Sequence, residues 1–127
     1  KEFRGNRKVM VLDFTTQADL YMDICDVLVT KPGGLTSTEA AAKGIPMVHS
    51  APIPGCETRN AAFFSGHGMS VLGQDEREAG ARALELLKNK AAARNMVAAQ
   101  KHYVNAGAAA DICDHMEEYC SRMEAER

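Results

Sequence analysis

Residues 26–60 read DVLVTKPGGLTSTEAAAKGIPMVHSAPIPGCETRN, and the fold is decided there. Val27-Leu28-Val29-Thr30 is an apolar, β-branched run of strand length. Pro32, Gly33 and Gly34 break it, and a helix is expected at once. Gly33 and Gly34 can take positive φ and let a ligand approach the backbone closely. Thr36 is a good N-cap, and Glu39 three residues on completes a capping box. Gly44 then ends the helix as a C′ glycine. A strand, a glycine turn and a helix N-terminus bring unpaired N–H groups and the positive end of a helix dipole to one spot, which makes an anion site. Turns of this kind occur throughout α/β proteins, so the pattern alone does not decide that the anion is a phosphate.

Working outward from this stretch, Val9-Met10-Val11-Leu12 is a short apolar run that predicts a first strand. Asp13-Phe14-Thr15-Thr16 would then lie at its carboxyl end, where open α/β sheets place their ligands. Ala18 to Cys25 has helical spacing. Downstream, Pro46 to His49 predicts another strand, with proline confined to its start. Pro52 to Gly55 is a stiff loop, Glu57 to Ser65 a helix stopped by Gly66 and Gly68, and Met69 to Leu72 a last strand. Helices follow over Asp75–Lys88 and Ala91–His102. After Asn105-Ala106-Gly107, a helix over Ala109–Glu126 carries Ile112, Met116, Tyr119, Cys120 and Met123 on one stripe. The stripe, with Cys113, reads as core, and the helix is expected to pack against its own sheet or a neighbour. Alternating strands and helices predict an α/β, Rossmann-like parallel sheet with helices on both faces.

The chain has 127 residues, the size of one domain, with 46% hydrophobic and 25% charged residues. Its net charge of -2 argues against non-specific nucleic-acid binding, which needs a basic surface. No apolar run approaches the roughly 18 residues of a spanning helix. Cys25, Cys56, Cys113 and Cys120 show no zinc spacing and read as reduced thiols of a cytoplasmic protein. No Asp-x-Asp pair or His/Cys cluster is present, so neither metal nor cofactor is expected. The first residue is Lys1, with a charged lead to Arg7, which reads as a fragment of a longer protein. An exposed sheet edge in such a fragment can pair with a second copy, a homodimer. His49 ends a strand near the site and is expected to be packed or solvated. His67, His102 and His115 are expected at the surface. Lys31 reads equally well as a phosphate contact or a solvated lysine, and Arg59 as a phosphate contact or a helix-surface charge, with surface favoured.

Two motifs then act in combination: K-P-G-G-L-T-x-x-E over Lys31–Glu39 and P-I-P-G-x-E-x-x-N over Pro52–Asn60. Together, and over about Val9 to Leu72, they closely resemble the donor-binding half of glycosyltransferase family twenty-eight. That family includes monogalactosyldiacylglycerol synthases, processive diacylglycerol glucosyltransferases and the peptidoglycan N-acetylglucosaminyltransferase. The resemblance implies the C-terminal half of a GT-B fold, residues 1–127 forming a single nucleotide-sugar-binding domain without its N-terminal acceptor domain. It implies that Phe14 and Thr15 meet a uracil ring and that Gly33, Gly34, Leu35 and Thr36 face a diphosphate. Glu39 would accept hydrogen bonds from the ribose hydroxyls, and Glu57 and Asn60 would contact the transferred sugar. Cys56 departs from the pattern, where Gln is common, and a thiol is a weak replacement.

The resemblance further implies a UDP-sugar donor and inversion at the anomeric carbon. The acceptor would be a lipid such as diacylglycerol, bound by the missing domain, which would also supply the base. No catalytic residue is expected in this chain, and the isolated fragment is expected to be inactive. The parent would sit at the inner face of the membrane as a peripheral protein. Cell-wall N-acetylglucosaminyl transfer and a non-enzymatic nucleotide-binding module remain the alternatives. Nucleotide-sugar 2-epimerases share the Gly-Gly turn but carry S-G-G and two adjacent glutamates, against Pro32-Gly33-Gly34 and a lone Glu39 here.

Overall fold

The computed structural model describes residues 5–125, so part of the charged lead Lys1–Arg7 and the expected helix end at Glu126 lie outside the described residues. The elements run α1 Ala18–Asp23, β1 Leu28–Thr30, α2 Gly34–Lys43, β2 Met47–His49, α3 Cys56–Gly66, β3 Val71–Leu72, α4 Glu76–Lys88, α5 Lys90–Tyr103 and α6 Ala108–Ala125. The three strands form one parallel sheet in the order β1-β2-β3. Val29 lies opposite Val48, and Val48 opposite Val71. Parallel strands need crossover helices, and α2 and α3 supply them. The α/β, Rossmann-like expectation is met.

The sheet is covered on both faces, as parallel sheets require. On one side Met47 packs with Met22 of α1, Ala40 and Ala41 of α2 and Phe64 of α3, together with Ile45 and Met69. On the other, Val48 packs with Ala79 and Leu86 of α4 and Met96 of α5. Met47 and Val48 thus divide between the two cores by the two-residue alternation of a strand. Ala40 and Ala41 of α2 sit at 0% and 1% exposure, so the helix backbone lies close against the sheet.

The amino end of the sheet is sealed by α5. Gln100 is wholly buried, and its Nε2 donates to Ile45 O at 2.8 Å and Met69 O at 3.0 Å, just ahead of β2 and β3. Replacing it with leucine would leave both carbonyls buried without a donor. At about 1–3 kcal/mol for each unsatisfied group, Gln100→Leu is expected to lower unfolding free energy by about 3 kcal/mol. Part of the cost of burial is already present, because Gln100 Oε1 has no partner. A urea midpoint shift at unchanged m-value is the measurement.

Three expectations fail. Val9–Leu12 forms no strand: Met10 and Val11 are 74% and 72% exposed, and Val9 N donates locally to Asn6 O. Apolarity does not make a strand without a neighbour to complete its ladder, and among the described residues none pairs with this run. Second, α2 begins at Gly34, two residues before the helix expected from Thr36. Gly33 is the N-cap, and neither a Thr36 cap nor a capping box with Glu39 forms. Ser37 N donates to Gly33 O at 3.1 Å, and this first helical bond fixes the start. Third, α6 buries nothing. Ile112, Met116, Tyr119 and Met123 are 45–61% exposed, and Cys113 and Cys120 are exposed free thiols. The connection Val104–Gly107 carries the helix away from the sheet, so its stripe is not buried against any element among the described residues. No helix among the described residues is long and apolar enough to cross a membrane.

Candidate anion site at the carboxyl edge of the sheet

The glycine turn connects β1 to α2 at the carboxyl end of the strands. Gly33 is extended, with φ -72 and ψ 141, so the left-handed freedom expected of Gly33 and Gly34 is not used. What the turn uses is the missing side chain. A Cβ on Gly33 would point into open space, and one on Gly34 would come 3.8 Å from Asn60 Nδ2. A ligand can therefore lie directly on the backbone.

The amides of Gly34, Leu35 and Thr36 precede the first helical bond at Ser37, and no side chain caps them. They are the unsatisfied donors every helix start presents, reinforced by the dipole of a ten-residue helix. Leu35 points outward at 83% exposure. Glu39 is the sixth residue of α2, exposed on its second turn. At 1.5 Å rise per residue it lies roughly 7 Å along the axis from the first amide.

The second motif is tied to the first. Asn60 Nδ2 donates to Pro32 O at 3.0 Å, which fixes α3 against the glycine turn. The Pro52–Gly55 loop folds over the start of α3. Ile53 N donates to Glu57 Oε2 at 2.7 Å, and Gly55 turns the chain with φ +121, a conformation reserved for glycine. Cys56 opens α3 as an exposed thiol. One oxygen of Glu57 is thus engaged by the loop while the other has no hydrogen-bond partner among the described residues. The structure brings Gly33, Gly34 and Asn60 together and sets Cys56 and Glu57 on the same helix as Asn60.

Phe14 and Thr15 are not joined to this cluster by hydrogen bonds. Phe14 is 91% exposed, and Thr15 Oγ1 accepts from Gln17 N, opening the turn into α1. Thr15 also borders a cavity of about 320 Å³ with Leu12, Tyr21, Met22, Cys25 and Leu28. A separate cavity of about 470 Å³ lies between β3, α4 and α5, lined in part by Arg82, Glu85 and Met96, away from the glycine turn. Among the described residues, no three His, Cys, Asp or Glu side chains gather as a metal would require.

His49 is the residue whose place the sequence left open. It closes β2 with a wholly buried side chain. Its Nε2 is hydrogen-bonded to Ser37 Oγ and its Nδ1 to Ser70 Oγ, both at 3.0 Å. It meets Phe64 edge to face, with ring centroids 5.6 Å apart. Burial lowers its pKa from 6.5 to about 4, so it is neutral at pH 7. His67, His102 and His115 are exposed, as expected.

No protein-family model matches the chain. It is similar to the processive diacylglycerol beta-glucosyltransferase of Staphylococcus carnosus, with 34% identity over 96 residues, 76% of this chain and 25% of that protein. The enzyme of the same name from Bacillus subtilis is 39% identical over 71 residues, 56% of this chain and 19% of that one. The fold is like that of the glycotransferase of kitacinnamycin, with a TM-score of 0.63 and 23% identity over 86% of this chain and 30% of that one. The chain spans about a quarter or less of the curated relatives it matches. In sequence it resembles one part of the processive diacylglycerol beta-glucosyltransferases of family twenty-eight, and in fold it is glycosyltransferase-like.

Proposed function

We propose that this chain is the donor-binding domain of an inverting glycosyltransferase, taking a UDP-sugar and passing its hexose to a lipid acceptor such as diacylglycerol. The observation that carries this reading is the uncapped start of α2, where the amides of Gly34, Leu35 and Thr36 lie beside a Gly33 with open space above it. The leaving group of such a reaction is a nucleoside diphosphate whose charge grows in the transition state. Donors fixed in advance at that position stabilise the charge without reorganising.

The remaining roles follow the same axis. Glu39, farther along α2, offers two carboxylate oxygens to a ribose diol. Glu57 and Asn60 sit at the other side of the turn, where the transferred sugar would lie, with Cys56 next to them. Phe14 and Thr15 would meet the uracil ring once the segment before α1 closes toward the turn. The reading needs no cofactor beyond the donor. The acceptor and the general base would come from outside this chain, which by itself would bind donor without transferring it. The full enzyme would act at the cytoplasmic face of a membrane as a peripheral protein.

Titration with UDP, with ADP as control, tests the reading through backbone amide shifts. Selective shifts of Gly33, Gly34, Thr36 and Glu39 with UDP are expected. Equal responses to both nucleotides, or shifts elsewhere only, would overturn it.

A further inference from the structure

The anion site has an anchor that its own residues do not supply. The first turn of α2 carries no capping side chain, and an uncapped helix start is its least constrained part. Here the fourth residue of the helix, Ser37, is wholly buried and bonded into the sheet through His49. The same residue's N–H donates to Gly33 O. A continuous set of bonds therefore runs from Ser70, ahead of β3, through His49 at the end of β2, to Ser37 and the glycine turn.

The chemistry of the three side chains fits this arrangement. A neutral imidazole has one donor and one acceptor nitrogen, and each serine hydroxyl can take either part. Both nitrogens are satisfied in the interior, where an unpaired polar atom would be costly. The groups facing His49 are Ser37 of α2, Ser70 ahead of β3 and Phe64 of α3, all uncharged. No charged side chain contributes to its lowered pKa.

We infer that His49 is a positioning residue for the diphosphate: through Ser37 it fixes the first turn of α2 to the sheet, so that the Gly34–Thr36 amides stay aimed at the anion. This rests on the diphosphate reading above. Asn60 holds the same turn from the α3 side by its bond to Pro32 O. The two anchors act on opposite ends of one turn, and neither needs to touch the ligand.

The experiment compares the wild-type chain with Ser37→Ala, Ser70→Ala and His49→Gln, using hydrogen exchange without ligand and titration with UDP and with uridine. Ser37→Ala is expected to speed exchange of the amides of residues 37–39 about tenfold while those of α4 are unchanged. It should weaken UDP about tenfold and leave uridine unaffected, because only the diphosphate reads the turn. Glutamine can bridge two hydroxyls with its amide, so His49→Gln should recover most of the exchange protection and UDP affinity. Unchanged exchange and unchanged UDP affinity in Ser37→Ala would overturn the role of His49. Equal losses for UDP and uridine, or faster exchange spread over α4 as well, would make the bridge merely structural and would overturn it too. A wild-type chain that ignores UDP would overturn the diphosphate reading instead, a result separate from the exchange data.

Discussion

Gly73→Ala is expected to destabilise the chain by about 3 kcal/mol, near the upper end of what overpacking costs. A Cβ at this position would lie 2.5 Å from Ala79 N, 2.6 Å from its Cα and 2.8 Å from its Cβ. Two of these atoms are backbone in the first turns of α4, so no side-chain rotation relieves the overlap. Residue 73 cannot retreat freely either, because its own N–H donates to His49 O at 2.8 Å. One of the two must move, and α4 covers the Val48 face of the sheet through Ala79 and Leu86. For a domain of this size the loss corresponds to a fall in melting temperature of roughly 10 °C. Gly80→Ala on the exposed side of α4 is the control. Its Cβ meets nothing within 4 Å, and alanine there should stabilise by about 0.5–1 kcal/mol through helix propensity. Adding Ala79→Gly to Gly73→Ala should restore little, since the closest atoms are backbone. Thermal unfolding of the four proteins decides it, and a full rescue by Ala79→Gly would refute the backbone clash.

Much of the fold was readable because local and global signals agree over residues 26–72. Val27–Thr30, Pro46–His49 and Met69–Leu72 are short apolar runs bounded by glycine or proline, and each contains an observed strand. Gly44 ends α2 in the left-handed conformation with φ +71, as a C′ glycine should. What failed was pairing, which is not a local property. Val9–Leu12 has the composition of a strand, yet in doubly wound sheets consecutive strands across the switch point are not neighbours, so chain proximity does not supply a ladder. The periodicity of α6 showed an apolar stripe correctly but not what it would face. The start of α2 was misplaced because Thr36 is a good cap by type, while Gly33 already fits the extended N-cap geometry.

The candidate site was legible as two motifs, and the structure adds the bond from Asn60 to Pro32 O that joins them. His49 was not legible as part of it. Its partners, Ser37 and Ser70, are 12 and 21 residues away in sequence, and nothing in the spacing of three small polar residues marks a buried bridge. A hint exists in Ser37 alone, a hydroxyl on the inward face of a helix otherwise packed by Ala40 and Ala41.

Acid is expected to weaken the fold through His49, over a window set by its two pKa values. Unfolded, the imidazole titrates near 6.5; folded, burial holds it to about 4. Between these values the unfolded chain binds a proton that the folded chain refuses, so stability rises with pH across the window. The contribution is fully present above about pH 6.5 and declines as pH falls toward about 4. At 1.36 kcal/mol per unit the loss approaches roughly 3 kcal/mol at the acid end. Carboxylates titrate in the same range, so the readout is the difference between wild type and His49→Gln. Urea unfolding at pH 7.5, 6.0 and 4.5 should show wild type losing about 2–3 kcal/mol relative to His49→Gln as pH falls. A constant difference across the three would mean that His49 does not stay neutral in the fold. Because Ser37 belongs to the first turn of α2, protection of the amides of residues 37–39 should fall as pH approaches about 4, where the folded imidazole itself takes up a proton. In the imidazolium both nitrogens donate, and the hydroxyl that had been donating loses its acceptor. The turn that presents the anion-facing amides is therefore expected to loosen at a pH where the Gln100 seal at the opposite end of the sheet, built from an amide and two carbonyls, is untouched.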